Sequence, residues 1–171
     1  ADGSRRFSLL RDYAGRGVIT TATYEARAFG VHSALGLMKA AALAPQAVLL
    51  PADFDEYRNY SRLFKAAVEE LAPLIEDRGI DEIYFDLTQV PGAQDASPGD
   101  PHAGVLAIAR AIKSRVREAT GLTCSIGVTP NKLLSKLCLD QAKSWGLTVL
   151  THAHVHAPVW AVQGRRNDDS R

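Results

Sequence analysis

"GIDEIYFDLT", Gly79 to Thr88, is the stretch on which the reading of this chain turns. Ile80 to Leu87 reads as a strand, because Ile83, Tyr84, Phe85 and Leu87 suit a buried sheet. Yet its mouth carries two adjacent carboxylates, Asp81 and Glu82, and its middle carries Asp86. Buried carboxylates are costly unless they are paired, hydrogen-bonded or bound to a metal. Side chains alternate across a strand, so Asp81 and Glu82 converge only where the strand meets a turn or bulge. Gly79 permits such a bend just upstream. Two carboxylates at a sheet end hold a hard cation such as Mg²⁺. Two such ions about 3.5–4 Å apart clamp an in-line phosphoryl displacement, and a site of that kind normally needs a third carboxylate. Taken alone, the dipeptide is a weak signal and reads first as a surface pair at a strand entrance.

The surrounding chain sets the context. Its 171 residues are enough for one domain with a real core, and 46% hydrophobic with 23% charged residues is a globular composition. No apolar run reaches the roughly 18 residues of a membrane helix. The opening "ADGSRRFSLLRDY" does not have the form of a signal peptide. A net charge of +1 makes no global case for nucleic-acid binding, so any basic surface must be local. Cys124 and Cys138 lie in apolar contexts without metal-like spacing, as reduced core thiols of a cytoplasmic protein do.

Upstream of the carboxylates, residues 1–16 are polar and basic and read as a loop. "GVITTATYEAR" reads as a strand running into a helix or turn. Ser33 to Ala44 is helix-prone and stopped by Pro45, and Ala47 to Pro51 is a short strand. A long helix capped by Asp53 or Asp55 follows, with Tyr57, Tyr60, Leu63, Phe64, Ala67, Val68 and Leu71 on its buried face, and Pro73 ends it. Downstream, Pro91 to Pro101 lies in an exposed loop. A helix runs from Asp100-Pro101 to Gly121. "TCSIGV" is a strand, a helix starts near Asn131, and "LTVL" is a last strand. The alternation predicts an α/β or α+β sheet covered by helices.

Two groups of residues suit phosphate. Tyr24 and Arg27, three apart, share a face on a helical turn near Thr21. Arginine grips phosphate oxygens through paired hydrogen bonds, and hydroxyls add donors. Lys132, Lys136 and Lys143 fall at about 0°, 40° and 20° around a helix axis, a basic edge for a polyanion or simply a solvated face. Leu133, Leu134, Leu137 and Cys138 are expected to face the core. His152, His154 and His156 would share one face of a strand, a spacing that can bind a transition metal. No carboxylate or Cys accompanies them, and they read as an exposed tail.

"RGVITTATYEARAFGVHSA", "LLPADFDEYRNYSRLFKAAVEELAPLIEDRGIDEIYFDLT" and "LTCSIGVTPNKLLSKLCLDQAK" occur in one order. In this the chain resembles the Y-family translesion DNA polymerases, and most of all the bacterial DNA polymerase IV group. The resemblance implies an α+β fold: a polymerase palm sheet with helices on one face, plus a small fingers subdomain. It divides the chain into a polar segment at 1–15, fingers at 16–51, palm at 52–150, and a tail or thumb start at 151–171. The thumb and the C-terminal DNA-gripping domain are expected to be absent. It implies that Asp81 and Glu82 are catalytic metal ligands. It also implies that Thr21, Tyr24, Arg27 and Lys143 hold the incoming nucleotide, with Lys132 and Lys136 as weaker DNA contacts. The reaction implied is Mg²⁺-dependent nucleotidyl transfer to a primer 3′-OH, with two ions in the complete enzyme, in translesion synthesis and DNA repair. Primer–template DNA and deoxynucleoside triphosphates are the implied partners, with a sliding clamp met through regions this chain lacks, and no membrane.

The sequence departs from the family at four places. Nothing in "ADGSRRFSLLRDYAGRG" matches the family's opening strand, with its metal-ligand Asp and aromatic sugar gate. Gly79 stands where Ser is frequent, "AKSWG" replaces a Pro-containing turn after Lys143, and the chain stops about where the thumb begins. The expectation is that these residues alone do not polymerise, and that the lost strand leaves an unpaired sheet edge. The rival reading is a non-catalytic, polymerase-like scaffold in a repair complex, although a scaffold has no chemical use for Asp81, Glu82, Tyr24 and Arg27. A nucleotidyl cyclase shares the two-metal logic but has no reason to carry the "YEAR" block.

Overall fold

The computed structural model describes residues 7–141 and 146–150. Lys143 and the His152, His154 and His156 alternation lie outside them. The chain divides into two units, one to Phe54 and one from Asp55.

In the first unit, β1 (Ser8–Leu9) pairs antiparallel with β2 (Val48–Leu49). The expected N-terminal loop is therefore partly a strand, followed by a 3₁₀ turn at Leu10–Asp12. The reason is Leu10, which is buried against Ile19, Val31, Leu35, Leu37 and Ala40 and draws the segment inward. The expected strand around Val18 reduces to a single bridge, Val18 to Gly36. Helix α1 (Tyr24–Ala28) begins where the Thr23 hydroxyl accepts from the Ala26 N–H at 3.4 Å. Helix α2 spans Leu37–Leu43 and stops short of Pro45.

The second unit is built on α3 (Phe54–Glu69), the hairpin β3 (Ile75–Asp77) and β4 (Ile83–Phe85), α4 (Ala103–Thr120), β5 (Ile126–Val128), α5 (Lys132–Gln141) and β6 (Leu147–Val149). Asp55 falls inside the first turn of α3, so the helix starts between the two expected caps. The residues α3 buries are Ser61, Ala67 and Val68, with Phe64 and Leu71 packed beside them. Tyr57, Tyr60 and Leu63, expected on the buried face, are exposed. These side chains share one core with α4, and Tyr57, Tyr60 and Leu63 are left outside it. Ala109, Ile112 and Val116 of α4 complete the core, and Gly121 ends the helix with a left-handed φ of 71°.

Strand β3 has no counterpart in the sequence reading. It pairs antiparallel with β4, with Glu76 opposite Tyr84. Ile75, Ile83 and Phe85, which share one face of the hairpin, pack against the core that α3 and α4 help to form. Strands β5 and β6 form a separate parallel pair. The described strands thus make two-stranded pieces, not one continuous sheet. In the second unit a cavity of about 1250 Å³ is lined by β4 and β5, with Ile112 and Val116 among the helix residues on its wall.

Candidate active site

Asp81 and Glu82 precede β4 and do not sit within it. Gly79, at φ 146°, takes a backbone conformation that side chains disfavour and turns the chain from β3 into β4. Lys65 of α3 clasps that turn. Its ammonium donates to Asp77 Oδ2 and to the Gly79 carbonyl, both at 2.7 Å, while the Gly79 N–H donates to Asp77 Oδ1 at 2.9 Å. The Arg78 N–H donates to the Glu82 carbonyl at 3.1 Å and closes the hairpin. Both Asp81 and Glu82 then line the same cavity, as the bend at Gly79 was expected to allow. Asp86 lies just past β4, exposed, and accepts from the Thr88 N–H at 2.7 Å. Its hydrogen bonds from Thr88 hold its carboxyl below the usual range.

The lysine edge of α5 is spent on this hairpin. Lys136 Nζ lies 2.7 Å from Glu82 Oε2. Lys132, one turn earlier, pairs with Glu76 and stands 6.0 Å from the centre of the Tyr84 ring. The Lys132 hydrogen bond holds the Glu76 carboxyl below its ordinary value. As DNA contacts, both lysines would have to exchange a carboxylate for a phosphate. Leu134 and Cys138 of α5 are buried as expected, but Leu133 is 71% exposed. It points away because residues 134 and 138, one turn apart, already form the inward edge. Burial raises the Cys124 thiol, and Cys124 and Cys138 are both free.

In the first unit, the Arg27 guanidinium stacks over the Tyr24 ring at 5.5 Å. Its Nε donates to the Ala22 carbonyl at 2.9 Å. The shared face expected from their spacing is therefore formed. Tyr24, Arg27 and the neighbouring Thr21 are all exposed.

The pairings of Lys65 and Lys136 escaped the sequence reading. Lys136 is 54 residues from Glu82 and Lys65 is 12 from Asp77, and neither spacing has a local period.

The family profile described as the impB/mucB/samB family matches residues 5–140. The chain belongs to that family. A DNA polymerase IV of Alkalilimnicola ehrlichii is 40% identical over 148 residues, covering 86% of this chain and 39% of that protein. A solved Y-family DNA polymerase chimera is 31% identical with a TM-score of 0.73, covering 87% of this chain and 41% of its own. An insertion ternary complex of Dbh DNA polymerase superposes with a TM-score of 0.72 at 31% identity, covering 88% of this chain and 41% of that one. This member of the impB/mucB/samB family thus has a mixed α/β fold of the Y-family polymerase kind and spans about two-fifths of the length of these relatives.

Membership implies a divalent-cation requirement. Asp81 and Glu82 suit one in donor chemistry: both are carboxylates and both line the cavity. Among the described residues no set of three or more His, Cys, Asp or Glu gathers to hold a metal. No helix among the described residues is long and apolar enough to cross a membrane.

Proposed function

We propose that this chain supplies the fingers, at about 16–51, and the palm, at about 52–150, of a Y-family translesion DNA polymerase. The reaction is Mg²⁺-dependent transfer of a nucleotide to a primer 3′-OH opposite damaged template, in DNA repair in the cytoplasm. The observation that carries the reading is the placement of Asp81 and Glu82 at the mouth of β4, turned by Gly79 onto a common cavity. Primer–template DNA and deoxynucleoside triphosphates are the partners, and a sliding clamp would be met through regions outside this chain.

Each residue then has a task. Asp81 and Glu82 hold Mg²⁺, which when bound neutralises charge developing on the transferred phosphoryl group. Arg27 offers the triphosphate a planar fork of donors that its stacking on Tyr24 has already oriented. The Tyr24 and Thr21 hydroxyls add hydrogen bonds, and Lys143 adds a positive charge. None of these groups needs to react covalently, and their contribution is position and field.

The test is a graft. The matched region of the Alkalilimnicola ehrlichii polymerase is replaced by this chain, and folding is verified by circular dichroism. Template-directed extension by the graft, reduced at least about 100-fold by Asp81→Asn, supports the reading. A folded graft that does not extend, or whose extension survives Asp81→Asn together with Glu82→Gln, overturns it. The isolated chain is expected not to extend a primer.

A further inference from the structure

The ion pair between Lys136 and Glu82 has no part in the proposed chemistry, yet it occupies one of the two carboxylates assigned to the cation. Lys136 Nζ stands 2.7 Å from Glu82 Oε2, at side-chain exposures of 46% and 30%. The contact is held in register by a second one. Lys132, one helical turn earlier, pairs with Glu76 and lies against the Tyr84 ring. Glu76 is the cross-strand neighbour of Tyr84, and Glu82 lies two residues before Tyr84. Helix α5 is thus joined to the hairpin by two lysines on two carboxylates, and Lys132 on Glu76 keeps the Lys136 backbone beside Glu82 whether or not the Lys136 side chain is paired.

We infer that Lys136 is a built-in competitor of the divalent cation for Glu82. The inference rests on the reading of Asp81 and Glu82 as metal ligands. A cation that ligates Glu82 would stand beside an ammonium on the same carboxylate, and like charges at that range repel. The ammonium sits on a flexible four-carbon stem and can swing away without moving the backbone. Loading the site therefore displaces Lys136 from Glu82 and leaves Lys132 on Glu76. The carboxylate is kept ordered until the cation arrives, and cation affinity is held below what two free carboxylates would give.

The experiment titrates Mn²⁺ into the 171-residue chain, following free Mn²⁺ by electron paramagnetic resonance. Wild type is compared with Lys136→Met, Lys136→Arg, Lys132→Met and Glu82→Gln. Lys136→Met is expected to bind Mn²⁺ roughly three- to fivefold more tightly, the scale of one partly exposed ion pair. Lys136→Arg should stay near wild type, and the gain should shrink at high salt. In parallel, lysine acylation of the wild-type chain read by mass spectrometry should show Lys136 becoming more reactive on Mn²⁺ addition while Lys132 does not. If Glu82→Gln weakens Mn²⁺ binding but Lys136→Met leaves it unchanged, and Lys136 acylation does not respond, the competitor role is overturned and the metal site stands. If Glu82→Gln binds Mn²⁺ as wild type does, the metal reading fails and the inference fails with it.

Discussion

Lys65 of α3 reaches across to Asp77, its Nζ 2.7 Å from Asp77 Oδ2, and the same ammonium holds the Gly79 carbonyl. One cation from a packed helix thereby fixes the turn that delivers Asp81 and Glu82. The Lys65 side chain is only 20% exposed, so this is more than a loose surface contact. Lys65→Met should lower the melting temperature and weaken Mn²⁺ binding, acting through the turn at Asp77 and Gly79 that Lys65 holds. Calorimetry and Mn²⁺ titration on the same sample check both outcomes.

The same lysine sets a pH dependence. Asp77 is held below the usual carboxylate range by its hydrogen bond from Lys65, and Glu76 by its hydrogen bond from Lys132. As pH falls, the unfolded chain takes up these protons first. The stability they contribute is therefore complete above about pH 5 and fades as pH drops through the lowered native values. Urea midpoints should be flat from about pH 7 to 5 and decline below about 4. The Lys65→Met decline should be shallower, and an equal slope would rule out the Asp77 contribution.

Gly79→Ala tests the bend itself. A Cβ there meets nothing within 4 Å, so any effect comes from the backbone. At φ 146° the cost should be about 1 kcal/mol or more, read from urea denaturation.

Core and surface should separate cleanly along the helices of the second unit. Ile112, 1% exposed, should cost about 2–5 kcal/mol on truncation to Ala. Tyr60→Ala, at 39% exposure, should stay within about 0.5 kcal/mol. The sequence pattern placed Tyr60, too, on a buried stripe. Helical periodicity reports which residues share a face, but not which part of a wide apolar face is covered. On α3 the covered part is lined by Ser61, Ala67 and Val68.

Nucleotide grip is testable in the first unit. Arg27→Ala should weaken binding of a Mg²⁺–deoxynucleoside triphosphate by about tenfold or more, as lost charge-assisted bonds do. Arg27→Lys should restore only part of it, because an ammonium lacks the planar fork and stacks less well on Tyr24. Fluorescent-nucleotide titration reads both.

Elements with local punctuation were legible in advance. Helix α4 was bounded by Pro101 and Gly121, α5 by Asn131, and the Tyr24–Arg27 face by its spacing. Strand β3 was not, because Ile75 to Asp77 offers three residues and one apolar side chain. Its existence depends on β4 lying opposite. The pairing of Lys136 with Glu82 was invisible for a similar reason: it joins elements brought together by α3, α4 and the core between them, and carries no mark in either local sequence.

The separation of β4 from the other strand pair of its unit leaves a trace in proton exchange. The Arg78 and Asp86 bonds set the hairpin pattern, so Tyr84 directs its amide toward β3 while Ile83 and Phe85 direct theirs the other way. Within three consecutive residues, protection should therefore alternate. The Tyr84 amide would exchange only when the hairpin opens, and the Ile83 and Phe85 amides without waiting for that event. A strand that filled the space beside β4 would erase the alternation and slow all three together.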